Sequence, residues 1–169
     1  MTVKKRDLHR SQVEAWEKIN TEGLPVEEQI ELFGKAFYAI EKRTLKTLSS
    51  VTLQVVLERA RLQSVEKFPL LSVVKLESGG LGFAGLVRNA KNENAEKLIE
   101  ALRYFLVELL NVLGNITAEI LSEPLHKELH KVTRDYQQSK EVDEHETENI
   151  VESRIFRQIS SGRKKPERT

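Results

Sequence analysis

The segment from Asn94 to Leu121 restricts the fold of this chain more than any other. Its apolar residues recur at steps of three and four, which is the spacing of one face of an α-helix. This main row consists of Leu98, Leu102, Phe105, Leu109, Val112, Ile116 and Ile120. A second row, which widens the apolar face, consists of Ile99, Leu106, Leu110, Leu113 and Leu121. Because such a helix must be surrounded by partners, we predict an all-α helical bundle built around it.

A second long helical stretch runs from about Val26 to Lys67. Its apolar rhythm starts with Ile30, Phe33, Phe37 and Ile40 and continues with Leu45, Leu48, Val51 (or Thr52), Val55 and Leu62. The step from Ile40 to Leu45 is irregular, so the stretch is either one rod of about 60 Å or two helices joined by a bend. We predict that Val26–Lys67 and Asn94–Leu121 are two long antiparallel helices of the bundle, with coiled-coil character.

Shorter helices are predicted on both sides of these two. Arg6 to Asn20 forms the first, and a helix after Pro124 forms the last. The residues available for burial in the first are Leu8, Val13, Trp16 and Ile19, and those in the last are Leu125, Leu129, Val132 and Tyr136. Asn92 or Asn94 is the predicted N-cap of the central helix.

The connection at 68–92 contains glycine and is either a small hairpin or an irregular crossover. It includes the pattern G-x-G-x-x-G from Gly80 to Gly85, which resembles a dinucleotide fingerprint. That fingerprint requires a strand that runs directly into the first glycine, but Lys75, Glu77 and Ser78 intervene. We therefore interpret the glycines as turn residues.

Composition excludes several classes of site. The chain has 169 residues and no cysteine, so disulfides, thiolate metal sites and a cysteine nucleophile are excluded. The longest apolar run is interrupted by Glu108 and Asn111, and the N-terminus has no signal-like segment, so we predict no membrane span and a cytoplasmic location. Charge blocks near the C-terminus favour a helical domain over 1–138 and a charged extension over 139–169, partly helical or disordered.

Two histidines are candidate metal ligands. His126 and His130 are four residues apart, a spacing at which two imidazoles can share one metal ion. A di-iron bundle needs the E-x-x-H pattern twice, and Glu123 to His126 supplies it once. We interpret both histidines as residues of a solvated helix flank, and we predict neither a metal nor a cofactor.

The centre of the long helix contains the more informative residues. Glycine inside a helix costs about 1 kcal/mol relative to alanine, so Gly114 requires a structural reason. The candidate interface or pocket residues are Asn111, Gly114, Asn115 and Thr117. Close packing or register between helices is the first interpretation, and a small-ligand pocket or a kink are the alternatives.

No catalytic residues are identified, so the predicted function is that of a non-enzymatic regulatory, sensory or scaffolding module. The apolar face of the central helix exceeds what three short helices can cover, which favours a homodimer. A protein partner is expected at the C-terminal residues Arg154, Arg157, Arg163, Lys164 and Lys165. The alternatives are a small-ligand or metal-binding bundle, possibly enzymatic, and a nucleic-acid accessory protein; charge blocks of opposite sign disfavour the latter.

Overall fold

A computed structural model describes residues 3–133, with side chains from Arg6 onward. The six helices in this range are α1 (Val3–Thr21), α2 (Val26–Thr44), α3 (Ser50–Lys67), α4 (Ala84–Asn89), α5 (Ala95–Ile116) and α6 (122–133). Two 3₁₀ turns (Pro69–Val73 and Ala90–Asn92) and two short strands, β1 (Lys75–Glu77) and β2 (Gly80–Gly82), complete the described elements. The predicted all-α helical bundle is therefore confirmed. Tyr136, the predicted domain boundary at 138, the extension and its basic residues lie outside the described residues.

The helix α5 occupies the centre of the bundle. It contacts α1, α2, α3 and both 3₁₀ turns, and every Leu, Ile, Val, Ala and Phe between Leu98 and Leu113 is buried. Asn94 caps its start, because the side-chain oxygen accepts a hydrogen bond from the Lys97 N–H at 3.0 Å. None of the helices among residues 3–133 has the length and hydropathy needed to cross a membrane.

The argument for a homodimer through α5 does not hold in the structure. The connection at 68–92, which the sequence pattern leaves irregular, places five apolar residues in the core, namely Phe68, Leu71, Val74, Leu86 and Ala90. Together with α1, α2 and α3, these residues help to cover the apolar face of α5 within one chain. The excess apolar surface on which the prediction rested is therefore absent from α5.

The C-terminal end of α5 also differs from the prediction. The helix ends at Ile116 instead of Leu121, and Ala118 and Glu119 adopt left-handed backbone angles, with φ of 47° and 67°. Such angles are uncommon in residues other than glycine and cannot continue a right-handed helix. Ile116 and Ile120, which the sequence pattern places in the main apolar row, are both exposed.

The stretch from Val26 to Lys67 forms two helices, so its interpretation as a single rod is wrong. The chain leaves helical geometry after Thr44, and α3 restarts at Ser50 with the Ser49 hydroxyl accepting a hydrogen bond from the Thr52 N–H at 3.1 Å. The break changes which face of α3 meets the core. Four apolar residues of α3 are buried, namely Leu53, Val56, Leu57 and Ala60, whereas the predicted core residues Val51, Val55 and Leu62, together with Leu45 before the break, are exposed.

A similar error affects α1, where Leu8 and Ile19 are exposed although the sequence pattern offered them for burial. The buried positions are His9, Val13 and Trp16, which follow the four- and three-residue steps of one helix face. Trp16 packs edge to face against Phe33 of α2 at 5.2 Å between ring centroids.

The connection contains a hairpin, which settles the alternatives left open by the sequence. Strands β1 and β2 pair antiparallel, with Lys75 opposite Gly82 and Glu77 opposite Gly80. Gly80 has a φ of 118°, and a Cβ at this position would collide with the Glu41 carboxylate of α2. The first glycine of the G-x-G-x-x-G pattern therefore serves a close contact in a hairpin. The interpretation of these glycines as turn residues is wrong, because Gly80 and Gly82 lie in β2 and Gly85 lies in α4, whereas the turn is at Ser78 and Gly79.

Glu41 is the buried group beneath this hairpin. Only 6% of the residue is exposed, and its Oε1 accepts a hydrogen bond from the Leu81 N–H at 3.4 Å. Burial raises the pKa of Glu41 to about 7, because desolvation penalises the carboxylate, and the Leu81 hydrogen bond opposes this increase.

We expect Gly80→Ala to lower the free energy of unfolding by about 2 kcal/mol, since the substitution adds backbone strain and displaces a buried carboxylate. Gly79→Ala is the matched control, because a Cβ at Gly79 meets no atom within 4 Å. Urea denaturation of both variants tests this expectation. Equal stabilities of the two variants would contradict the role assigned to Gly80.

Candidate functional site

A cavity of about 750 Å³ lies between α1, the end of α3 and α5. Its lining combines basic, acidic, aromatic and amide side chains. The lining includes the charged, aromatic and amide side chains of Arg6, Arg10, Lys67, Tyr104, Glu108 and Asn111. Asn111, one of the candidates identified in the sequence, therefore lines a cavity.

Asn111 is buried without full hydrogen bonding. It is 2% exposed, and its Nδ2 donates to Oε1 of Glu108 at 3.3 Å. Its Oδ1 has no donor within the part of the chain that the structure describes. A buried acceptor without a donor costs about 1–3 kcal/mol of stability. The unpaired Oδ1 of Asn111 therefore destabilises the folded protein.

An aromatic pair forms a second part of the lining. The rings of Phe68 and Tyr104 lie 5.5 Å apart, and Nζ of Lys67 stands 4.2 Å from the Tyr104 ring centroid. Burial raises the pKa of Tyr104, and the Glu108 carboxylate adds to this effect, whereas Arg6 and Arg10 act in the opposite direction. The two arginines are therefore close enough to Tyr104 to influence its hydroxyl electrostatically.

The cations of the cavity fall into two groups. Arg103 is engaged, because its guanidinium binds both carboxylate oxygens of Glu17, with Nη2 to Oε1 at 2.8 Å. This hydrogen bonding raises the pKa of Arg103. Arg6, Arg10 and Lys67 make no ion pair with any residue between Arg6 and Thr133.

A histidine cluster lies where α1, α6 and the turn after α5 meet. Nδ1 of His9 and Nε2 of His126 are 2.9 Å apart, and Nε2 of His9 is 3.6 Å from Oε2 of Glu119. The same Glu119 oxygen accepts a hydrogen bond from the Ser122 hydroxyl. Because a carboxylate can only accept, the favoured tautomer of His9 carries its proton on Nε2, and His126 then donates to Nδ1 of His9.

Gly114 has a packing reason in this cluster. A Cβ on Gly114 would lie 2.8 Å from Oε2 of Glu119, and the Glu119 N–H donates to the Gly114 carbonyl at 2.8 Å. The glycine thus leaves room for the carboxylate that faces His9, and the left-handed turn at Glu119 brings the carboxylate back over the helix. Asn115 is exposed, and the Thr117 hydroxyl donates to the Leu113 carbonyl at 2.8 Å, so neither residue lines the cavity.

The structure corrects the interpretation of one of the two candidate histidines, His126. His126 is 9% exposed and paired with His9, so it does not belong to a solvated flank. His130 is exposed, and its Nε2 lies 2.9 Å from Oε1 of Gln12. Sequence reasoning missed His9, although its spacing to Val13 and Trp16 marks a buried position.

The cluster has no arrangement of a known catalytic or metal centre within the described range. No group of three or more His, Asp or Glu residues between positions 6 and 133 is placed to hold a metal ion. The Ser122 hydroxyl donates to Glu119 instead of a histidine, so His9 and His126 do not activate it as a base would activate a nucleophile. Its chemistry in this arrangement is that of a buried hydrogen-bond network.

No protein-family model, curated protein or solved structure matches this chain. The function must therefore be inferred from the geometry of the cavity and the cluster. Each site contains a buried atom without a hydrogen bond, Oδ1 of Asn111 in the cavity and Nε2 of His9 in the cluster. The cavity is the stronger candidate, because Nε2 of His9 faces the Glu119 carboxylate at 3.6 Å, whereas Oδ1 of Asn111 lies in the wall of an open cavity.

The histidine cluster predicts a pH dependence of stability. Burial lowers the pKa of His126 to about 4 from its ordinary value of 6.5, with smaller contributions from His9 and His130. The unfolded chain then binds more protons between these values, so the contribution of neutral His126 is present above pH 6.5 and is lost as the pH falls towards 4. The loss is at most about 3.5 kcal/mol, since the pKa of His126 falls by about 2.5 units and one pKa unit corresponds to about 1.4 kcal/mol.

We expect His126→Gln to flatten the decrease of unfolding free energy between pH 7 and pH 4.5 relative to the parent chain. His130→Gln is the matched control, because His130 is exposed and should leave the decrease unchanged. The raised pKa of Glu41 makes the free energy of unfolding increase as the pH falls, which is opposite to the effect of His126. This contribution is the same in all three proteins, so comparison with the parent removes it. An unchanged slope in His126→Gln would show that this histidine is not the titrating group.

Proposed function

We propose that this protein is a sensory or regulatory module that binds a small organic molecule in the cavity between α1, α3 and α5. The observation that carries the proposal is the unpaired Oδ1 of Asn111, a buried acceptor in the wall of the cavity. A ligand with a hydrogen-bond donor relieves the cost of burying this oxygen. This proposal develops the pocket alternative for the centre of the long helix.

The size and lining of the cavity support this role. Its volume of about 750 Å³ falls within the range of ligand pockets, which is about 300–1,000 Å³. Such pockets combine aromatic surface with a few polar groups that orient the ligand. Phe68 and Tyr104 supply the aromatic surface here, and Glu108 and Asn111 supply polar groups at the buried positions.

A competing explanation for Asn111 is packing or helix register, and the two explanations predict opposite effects on stability. A register-setting residue stabilises the folded state through its contacts. A ligand-binding residue that lacks its partner destabilises the unliganded protein, and an apolar residue of similar shape removes that penalty.

Because Asn111 donates to the buried Glu108, the substitution Asn111→Leu is made in a Glu108→Leu background. There we expect Asn111→Leu to raise the free energy of unfolding of the unliganded protein by about 1 kcal/mol. Asn115→Leu is the matched control, because Asn115 is exposed on the same helix and should change stability by less than about 0.5 kcal/mol. Urea denaturation measures both. A clear destabilisation by Asn111→Leu would favour the register explanation and count against the proposal.

Binding is tested with a panel of amino acids, dicarboxylates, diamines and nucleotides. Amide NMR shifts of the parent chain should change around Tyr104, Val107 and Asn111 for at least one member, and Asn111→Leu should abolish the effect. A panel without any Asn111-dependent binder would overturn the ligand-binding role.

A second candidate function is self-association through the outer face of α3. Val51, Val55 and Leu62 are exposed on one side of this helix, and a groove of about 510 Å³ includes Val55 and Leu62. Arg59 and Glu66 also line the groove and are seven residues apart on the same side of the apolar row. Two antiparallel copies of α3 related by a two-fold axis between residues 58 and 59 place Val55 of one protomer opposite Leu62 of its partner twice. This pairing supports a scaffolding homodimer that uses α3 in place of α5.

Light scattering after size exclusion tests this second candidate. We expect the parent chain to run above its monomer mass of 19.4 kDa and Val55→Asp combined with Leu62→Asp to return it to that mass. Ile19→Asp on α1 is the control, since Ile19 is 74% exposed away from the groove. A parent chain that is monomeric at high concentration would exclude self-association through α3.

A further inference from the structure

The chemical class of the ligand follows from where the unpaired groups of the cavity lie, and this inference rests on the proposed binding role. Glu108 and Asn111 are neighbours on one face of α5 and are both buried. The carboxylate of Glu108 and the Oδ1 of Asn111 are hydrogen-bond acceptors. A ligand group that satisfies both must donate hydrogen bonds, and a positive charge on that group would favour Glu108 further.

The cations lie at a different position along the cavity. Lys67 stands over the Tyr104 ring, and Arg6 and Arg10 act on the Tyr104 hydroxyl. Three basic side chains without ion-pair partners in the described range therefore surround Tyr104. Such a group favours an anion, with arginine suited to carboxylate or phosphate.

The acidic residues of the lining do not cancel these cations. Glu14 and Glu100 act on Arg103, which Glu17 already binds. Two acids oppose the three basic groups around Tyr104. They are Asp7, the remaining exposed acid of the lining, and Glu66, which also acts on the Tyr104 hydroxyl. The balance around Tyr104 is therefore positive, whereas the balance at Glu108 and Asn111 is negative.

The distance between the two positions is set by the helix. On α5, Tyr104 is four residues from Glu108 and seven from Asn111, which corresponds to about 6 Å and about 10 Å along the helix axis at 1.5 Å per residue. Val107 and Phe68 also line the cavity, and their side chains offer apolar contact to a ligand. A ligand that reaches both positions needs an apolar segment between its charged ends.

We infer that the cavity binds a zwitterion with a cationic amino group at Glu108 and Asn111, an anionic carboxylate at Arg6, Arg10 and Lys67, and a short apolar chain between them. A dianion leaves the Asn111 oxygen unpaired and is repelled by Glu108. A dication leaves the three basic residues unpaired and is repelled by them. The zwitterion satisfies both positions at once.

The test uses ω-amino acids of five to eight carbons, with the diacid and the diamine of the same length as matched probes, in calorimetry on the full chain. We expect the best ω-amino acid to bind at least about tenfold more tightly than either matched probe. Glu108→Gln should weaken binding of the ω-amino acid about tenfold without weakening binding of the diacid. The double variant Arg6→Gln, Arg10→Gln should weaken binding of the ω-amino acid and of the diacid, but not binding of the diamine. Arg59→Gln, outside the cavity, should change none of these affinities.

Two results would overturn the inference. The first is a diacid or a diamine that binds as tightly as the ω-amino acid, and the second is the absence of binding by every ω-amino acid in the series. Either result leaves the ligand-binding role standing if another member of the broader panel binds in an Asn111-dependent manner. If no member of that panel binds, the proposed function fails together with the inference.

Discussion

Burial of α5 on several sides is the interaction on which the rest of the described structure depends. Full burial of a Leu or Phe side chain stabilises a protein by roughly 1.5–3 kcal/mol, and α5 buries every apolar residue between Leu98 and Leu113 apart from the half-exposed Tyr104. No single neighbour can cover so wide a face. Helices α1, α2 and α3 and the 3₁₀ turns each take one part of it, so the positions of these elements follow from the width of the α5 surface.

Two polar residues are buried within this apolar surface of α5. Glu108 and Asn111 interrupt the apolar run and are nevertheless buried, with only one long hydrogen bond between them. Their cost is tolerable because the remaining burial along α5 is extensive. The cavity beside them is thus a local departure from the packing that stabilises the rest of the helix, and departures of this kind are often functional.

The turn after α5 shows how backbone strain and packing are coupled. Ala118 and Glu119 both take left-handed angles, and the resulting path returns Glu119 over Gly114 towards His9. A side chain at Gly114 would occupy the space of the carboxylate. The glycine in the middle of an apolar helix, the strained turn and the buried histidine pair are therefore parts of one arrangement.

Residue patterns along the sequence determined that the protein is a helical bundle, that a long apolar helix starting at Asn94 lies at its centre, and that Asn111 and Gly114 are exceptional positions. These features are local, since they depend on spacing, capping and the intrinsic cost of glycine. Only the tertiary structure decided that α2 and α3 are separate, that Val55 and Leu62 face outward, and that α5 is covered within one chain. It also decided that His9 meets His126, and that Asn111 meets a cavity formed with α1 and α3. Such features depend on which faces of distant segments meet, and a helical pattern specifies the spacing of a face without specifying its neighbour.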